Sequence, residues 1–277
     1  MHTDDDPLSD DAITADFRVY QRVRGHRYSI DDVLTAFVAA NRAPDAARVL
    51  DLGSGIGSVA IMLAWKLREA RLATLEAQEV SHALQLRNLE RNGLNARIRP
   101  VFGDFRDAGI RSEAGIDFDL VTGTPPYFPV EATLPSPDSQ RAHARVELRG
   151  GVEAYLEAAA ACVREGGVVV VCADAKKPER VLGSIAALGL SAERELVVHP
   201  REGKDALFSV WTLVRGPSEL AFTREAFVAR TAEGARSEAQ REIRAFFGLP
   251  IDDDAASPRQ RARDPHASAA SPRGARA

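Results

Sequence analysis

Asp51, Glu76 and Asp104 each stand in or just after a short apolar run, and helical patterns separate the three runs. That spacing puts three carboxylates at the C-terminal ends of successive strands, where open α/β sheets bind ligands. Asp51 precedes the turn Gly53-Ser54-Gly55-Ile56-Gly57. Glycines there permit positive φ and close backbone approach to a ligand. The spacing is G-x-G-x-G, with Ser58 where a dinucleotide fingerprint puts its third glycine. The turn therefore suits a nucleoside ligand that lacks a pyrophosphate. Glu76 can accept from both hydroxyls of a ribose, and Asp104 from the amino group of an adenine. A lone acid of this kind reads as a helix cap or a solvated loop residue; three at successive strand ends do not.

A second signal follows the run Phe118–Gly123, where the sequence is Thr124-Pro125-Pro126-Tyr127. Two prolines remove two backbone donors and leave carbonyls free to accept. An aromatic ring two residues on can stack on a flat π system. Together these suit a planar nitrogen whose hydrogens are held by acceptors while its lone pair is aimed. Catalysis would then be mostly orientation and proximity.

The elements that must position these residues alternate. Residues 48–52, 72–76, 97–103, 117–122 and 167–172 read as buried strands, and residues 57–70, 79–92, 151–164 and 176–188 as helices. Residues 194–199 and 206–214 read as a closing antiparallel pair. The pattern predicts an α/β, Rossmann-like fold: a mostly parallel seven-stranded sheet with an antiparallel edge strand and helices on both faces. Residues 43–216 carry this domain. Residues 1–12 read as a disordered acidic tail and residues 13–42 as an N-terminal extension with a basic cluster. Residues 217–250 read as a helical extension and residues 251–277 as a disordered tail.

With these motifs in place, residues 30–215 resemble class I S-adenosylmethionine-dependent methyltransferases of the "methyltransferase small" group. Asp51–Gly57 is similar to motif I, Glu76 to the motif II acid and Gly103-Asp104 to motif III. Thr124–Tyr127 resembles motif IV of amino-methyltransferases, and Arg87–Leu94 the RN-x-x-x-NGL segment of many members. The resemblance implies S-adenosyl-L-methionine as cofactor, held by Asp51, Gly53, Gly55, Gly57, Glu76 and Asp104. Thr124, Pro125, Pro126 and Tyr127 would hold the target amine, and no metal is implied. Motif IV of the family opens with Asn, Asp or Ser. Thr124 departs from it with a hydroxyl that lacks an amide's reach and second polar atom.

Two flanking segments point to one branch. Gly25–Ala36 is similar to the N-terminal motif of bacterial tRNA(Val) adenine-37 N6-methyltransferases, with Asp31 matching that family's acid. His199–Ala206 resembles its basic loop. The implied reaction is methyl transfer to an exocyclic adenine amine in tRNA. Three alternatives stay open: a protein glutamine N5-methyltransferase, a ribosomal RNA guanine N2-methyltransferase, and a non-catalytic RNA-binding module. The glutamine family carries a longer helical N-terminal domain than the roughly 40 residues before this glycine turn.

A net charge of -4 argues against a broad nucleic-acid binder, yet the charge is uneven. Residues 1–12 hold five Asp and no Lys or Arg. Three basic groups should border the cleft: Arg22, Arg24 and Arg27; Arg141 and Arg145; Arg201 and Lys204. They suit an RNA backbone, with a flipped adenine entering the pocket. The two cysteines, Cys162 and Cys172, suggest no disulfide framework, and the N-terminus lacks the apolar stretch of a secretory signal. With no long apolar run for a membrane span, the expected location is the cytoplasm.

Overall fold

Strands buried on both faces need helices on both faces. The computed structural model, which describes residues 6–127, 140 and 150–251, has that construction. The chain opens with β1 (Leu8–Ala12), β2 (Arg18–Arg22) and α1 (Ile30–Arg42). It continues through β3 (Arg48–Leu52), α2 (Ser58–Lys66), β4 (Arg71–Glu76), α3 (Glu79–Arg91), β5 (Ile98–Phe102), α4 (Ala108–Ala114) and β6 (Phe118–Gly123). From residue 150 on come α5 (Val152–Cys162), β7 (Val163–Asp174), α6 (Glu179–Ile185), β8 (Leu190–His199), β9 (Phe208–Arg215), β10 (Thr223–Val228) and α7 (Glu238–Phe246).

The large sheet has eight strands in the order β10-β8-β9-β7-β6-β3-β4-β5. The expected seven-stranded sheet gains a strand because residues 217–250 are not all helical. Thr223–Val228 pairs in parallel with β8 as an outer strand. The antiparallel strand is also not at an edge: β9 runs antiparallel between β7 and β8.

Alternation along the strands divides the core. Val49, Val168, Val170 and Cys172 pack with α1, α2, α3 and α7. Leu50, Leu52, Val169 and Val171 face the other way, onto α4, α5 and α6. α2 is buried nearly all round, from Ser58 to Ala64, so its glycine-turn start is held by packing on both sides. α7 closes over α1 through an edge-on contact of Phe246 with Phe37, ring centroids 4.9 Å apart.

Residues 6–12 differ from the expected tail. Leu8–Ala12 pairs with Arg18–Arg22 as an antiparallel hairpin. Two amides on one face of α3 hold this hairpin. Asn88 accepts from the Tyr20 amide at 2.7 Å, and Asn92 accepts from the Arg18 amide at 2.9 Å. The same side chains donate to the Tyr20 and Arg18 carbonyls. Asn88 and Asn92 thus substitute for a neighbouring strand, which explains the asparagines of Arg87–Leu94 physically. Residues 252–277, most of the expected C-terminal tail, lie outside the described residues.

Candidate active site

β3 pairs with β4 on one side and β6 on the other. The chain leaves β3 in one direction, through β4 and β5, and returns to build β6 and β7 in the other. The loops after β3 and β6 therefore diverge, and a crevice opens between them at the C-terminal end of the sheet. A cleft lies there, lined among others by Asp32, Gly53, Gly55, Glu76, Asp104 and Thr124.

The glycine turn is built as its spacing requires. Gly53, Gly55 and Gly57 have φ of 60°, 57° and 90°. A Cβ on Gly55 would point into open space, so its backbone faces the cleft. A Cβ on Gly53 would strike the Tyr155 hydroxyl from α5. Gly57 is not at the cleft wall; it is the N-cap of α2, with Gln85 against it. Gln85 donates to Ser54 Oγ at 2.9 Å, tying α3 to the turn.

The three sequence acids do different things. Glu76 ends β4 in the cleft: its Oε2 accepts from the Gly55 amide at 2.7 Å, and Oε1 from the Gln78 amide at 2.6 Å. Asp104 lines the cleft and pairs with Arg106 at 2.6 Å. Asp51 does not reach the cleft wall. It is 1% exposed and accepts from Ser54 Oγ at 2.6 Å and Thr122 Oγ1 at 2.8 Å. Burial pushes Asp51 up to about 6, against those hydrogen bonds. Asp51, expected to help hold the cofactor through water or backbone groups, braces the glycine turn from beneath.

The N-terminal acid also shifts by one residue. Asp31 lies outside the cleft lining, and its carboxylate is engaged by Ser29 Oγ and the Asp32 amide. Asp32 is the acid in the cleft. Ser29 is the N-cap of α1 and Asp32 its third helical residue, so Asp32 Oδ2 turns back to accept from the Ser29 amide at 2.9 Å. That leaves Oδ1 facing Ser58 Oγ at 3.2 Å and Thr124 Oγ1 at 3.5 Å. Burial, with the charges of Asp31 and Asp51 nearby, pushes Asp32 up to about 8. The Ser-x-x-Asp spacing at 29–32 is the sequence signal that marks it.

Of the motif IV residues, Thr124 and Pro126 line the cleft and Pro125 does not. Tyr127 stacks on Phe208 of β9, centroids 6.1 Å apart and planes 18° from parallel. His26, Tyr28, Phe105 and Tyr155 also line the cleft. They were not among the expected site residues, because only the fold shows which aromatics turn inward. Phe105, directly after Asp104, is the one that position suggests.

The basic groups are less available than expected. Arg18 pairs with Asp10 at 2.9 Å, Arg22 with Asp6 at 3.2 Å and Arg27 with Asp11 at 2.8 Å. Arg91 joins Asp10 at 2.7 Å. The acidic stretch and the basic stretch are facing strands of one hairpin, and they largely neutralise one another. Arg24 is exposed, and its backbone amide donates to Asp6. Arg201 and Lys204 are exposed on the β8–β9 loop. Arg141 and Arg145 lie outside the described residues.

The residues present fit S-adenosylmethionine. The Gly55 backbone faces open space, the Glu76 carboxylate is bonded beside it, and Asp104 and Phe105 line the same cleft. Residues 27–137 match the methyltransferase small domain. A release factor glutamine methyltransferase from Moorella thermoacetica is 28% identical over 71% of this chain and 70% of its own length. A tRNA1(Val) (adenine(37)-N6)-methyltransferase from Bacteroides thetaiotaomicron is 31% identical over 57% of this chain and 65% of its own length. The chain thus spans about two thirds of these relatives. Among solved structures, a predicted O-methyltransferase from Agrobacterium tumefaciens superposes with TM-score 0.61 at 22% identity, covering 80% of this chain and 98% of that one. The match of residues 27–137 to the methyltransferase small domain thus sits within an α/β fold shared with that solved structure.

Proposed function

We propose that the chain transfers a methyl group from S-adenosylmethionine to the exocyclic amine of an adenine in tRNA, in the cytoplasm. The observation that carries this reading is the junction of three segments at one cleft. These are the glycine turn with Glu76 and Asp104, the Thr124–Pro126 turn after β6, and the N-terminal segment around His26, Tyr28 and Asp32. The last segment resembles the adenine-modifying branch, to which the Bacteroides relative belongs by name.

When bound, the cofactor supplies a methyl group on a positively charged sulfur. The protein's own work is placement. Glu76 would take the ribose hydroxyls, and Asp104 with Phe105 would bound the adenine of the cofactor. Asp51 supports this indirectly, by holding Ser54 and so the turn. Thr124 Oγ1 and the Thr124 carbonyl would accept from the target amine, fixing its plane, with Pro125 shaping the turn behind them. Phe208 sets the plane of the Tyr127 ring, which would border the target base. A small docking surface at Arg24, Arg201 and Lys204 suits RNA contact that weakens with salt.

A second reading is supported by the Moorella relative: methyl transfer to a glutamine side-chain amide of a protein. Both are planar nitrogens, and one turn can hold either. Incubation with labelled cofactor and either unmodified tRNA or cell protein separates them. Label in RNA that digests to N6-methyladenosine supports the proposal. Label confined to a protein band rejects it in favour of the glutamine reading, and N2-methylguanosine rejects it in favour of the guanine one.

A further inference from the structure

Thr124 stands where the amino-methyltransferase pattern has an amide, an acid or a serine, and the residue beside it is the buried carboxylate of Asp32. We propose that Asp32 and Thr124 form a composite acceptor for the target amine, in which Asp32 is a positioning residue acting through the Thr124 hydroxyl. This inference rests on the methyl-transfer reading.

The geometry favours a fixed role for Asp32. One carboxylate oxygen is committed to the Ser29 amide at 2.9 Å, so the side chain cannot swing. The other is presented to the cleft, between Ser58 Oγ and Thr124 Oγ1. Both hydroxyls can only donate to an ionised carboxylate. A Thr124 hydroxyl whose proton points at Asp32 turns its lone pairs toward the cleft, which is what an amine N–H requires. The 3.5 Å separation is long for such a bond, and contacts of this kind commonly tighten when substrate binds. Asp32 thereby supplies the second polar centre that a threonine lacks.

The charge requirement follows. Asp31 and Asp51 lie behind Asp32, and Glu76, His26 and Tyr28 line the same cleft. In the free protein this setting favours the protonated acid at neutral pH. A cation in the cleft favours the ionised form. During transfer the amine nitrogen forms the new N–C bond as the electron pair of the C–S bond leaves with sulfur. The nitrogen then sheds one proton to Thr124 Oγ1, whose own proton passes to Asp32. Atoms and charge balance, with Asp32 neutral at the end.

The test compares wild type, Asp32→Asn, Thr124→Val, the Asp32→Asn/Thr124→Val pair and Asp32→Asn/Thr124→Asn. Each is assayed for single-turnover methylation of unmodified tRNA across pH, and for S-adenosylhomocysteine binding by calorimetry. An asparagine at 32 keeps the bond to the Ser29 amide but offers its NH2 to Thr124, which spends the hydroxyl's lone pair. Asp32→Asn should lower the rate about 10–100-fold, with S-adenosylhomocysteine affinity changed by less than about threefold. The wild-type rate should rise with pH along a limb below 8, because the cofactor's charge lowers Asp32, and the variant should lose that limb. Asp32→Asn should add little to the loss in Thr124→Val, and Thr124→Asn should restore much of the rate lost in Asp32→Asn.

Losses that simply multiply in the double variant overturn the proposal. So does a large fall in cofactor affinity with an unchanged rate at saturation, which would make Asp32 a cofactor ligand. A wild type that binds S-adenosylhomocysteine and turns over, matched by Asp32→Asn, rejects this inference alone. A wild type that binds no S-adenosylhomocysteine rejects the methyl-transfer reading beneath it.

Discussion

Glu76 Oε2 accepts a hydrogen bond from the Gly55 amide at 2.7 Å, joining the end of β4 to the glycine turn after β3. The carboxylate is 5% exposed, yet it forms part of the cleft wall. The bond fixes the acid's orientation before any ligand arrives, which limits the side-chain entropy lost on binding. Glu76→Gln should keep the shape but lose the charge-assisted acceptor. We expect S-adenosylhomocysteine affinity to fall about 10–100-fold, as for hydrogen bonds to charged groups. Calorimetry on the variant reads this directly, and an unchanged affinity would remove Glu76 from the cofactor site.

Asp51 should behave differently from Glu76. Its carboxylate satisfies Ser54 Oγ and Thr122 Oγ1 in a buried setting. Asp51→Ala removes both acceptors at once. The expected cost is about 1–3 kcal/mol of folding stability, from stranded hydroxyls and a small cavity. Cofactor affinity should fall less than in Glu76→Gln. Denaturant unfolding measures the first effect, and unchanged stability would contradict a bracing role.

Asp32 makes a pH-dependent prediction. Its ordinary value is 3.8, and in the folded protein it lies at about 8. The folded state therefore holds a proton that the unfolded chain releases. Stability from that proton is fully present below about 4 and is lost as pH rises through 8. Asp32→Asn removes the dependence, because asparagine never has to ionise in the buried site. The variant's Tm relative to wild type should thus rise between pH 5 and pH 9 by several degrees. A difference that stays flat across that range would contradict the buried, proton-holding acid.

The hairpin bears on RNA contact. Asp6, Asp10 and Asp11 pair with Arg22, Arg18 and Arg27. The Arg18–Asp10 and Arg27–Asp11 pairs are partly exposed and add little stability, about 0–1 kcal/mol each, while the Arg22–Asp6 pair is largely buried. Changing all three acids to asparagine should leave the fold intact and release three arginines. tRNA binding should then tighten at low salt, and its salt dependence should steepen by up to about three phosphate contacts. Filter binding across a salt series checks this. An unchanged slope would place the hairpin away from the RNA.

These results show what the sequence made legible. Valine-rich runs such as Gly167–Cys172 identified their strands because burial on both faces demands apolar residues at every position. Glu76 and Gly55 were readable from spacing alone, since strand ends and glycine turns are local features. The hairpin was not. Leu8-Ser9-Asp10-Asp11-Ala12 has poor strand propensity; it pairs with β2, which Asn88 and Asn92 hold, and its acids meet the facing arginines. Thr223–Val228 was missed for a related reason, because four of its six residues are exposed and it becomes a strand only by pairing with β8. The motif spacing points to Asp31, while the neighbouring Asp32 is the one that lines the cleft. The cap at Ser29 decides which of the two faces inward. Opposite charges eight to sixteen residues apart read as a tail and a patch, and the fold makes them partners.

The most direct test of the cofactor cleft is a calorimetric titration of the wild-type protein with S-adenosylhomocysteine, run beside Glu76→Gln. The account predicts one site per chain in the wild type and binding weaker by at least about tenfold in the variant. Equal binding by both proteins, or none by the wild type, would contradict it.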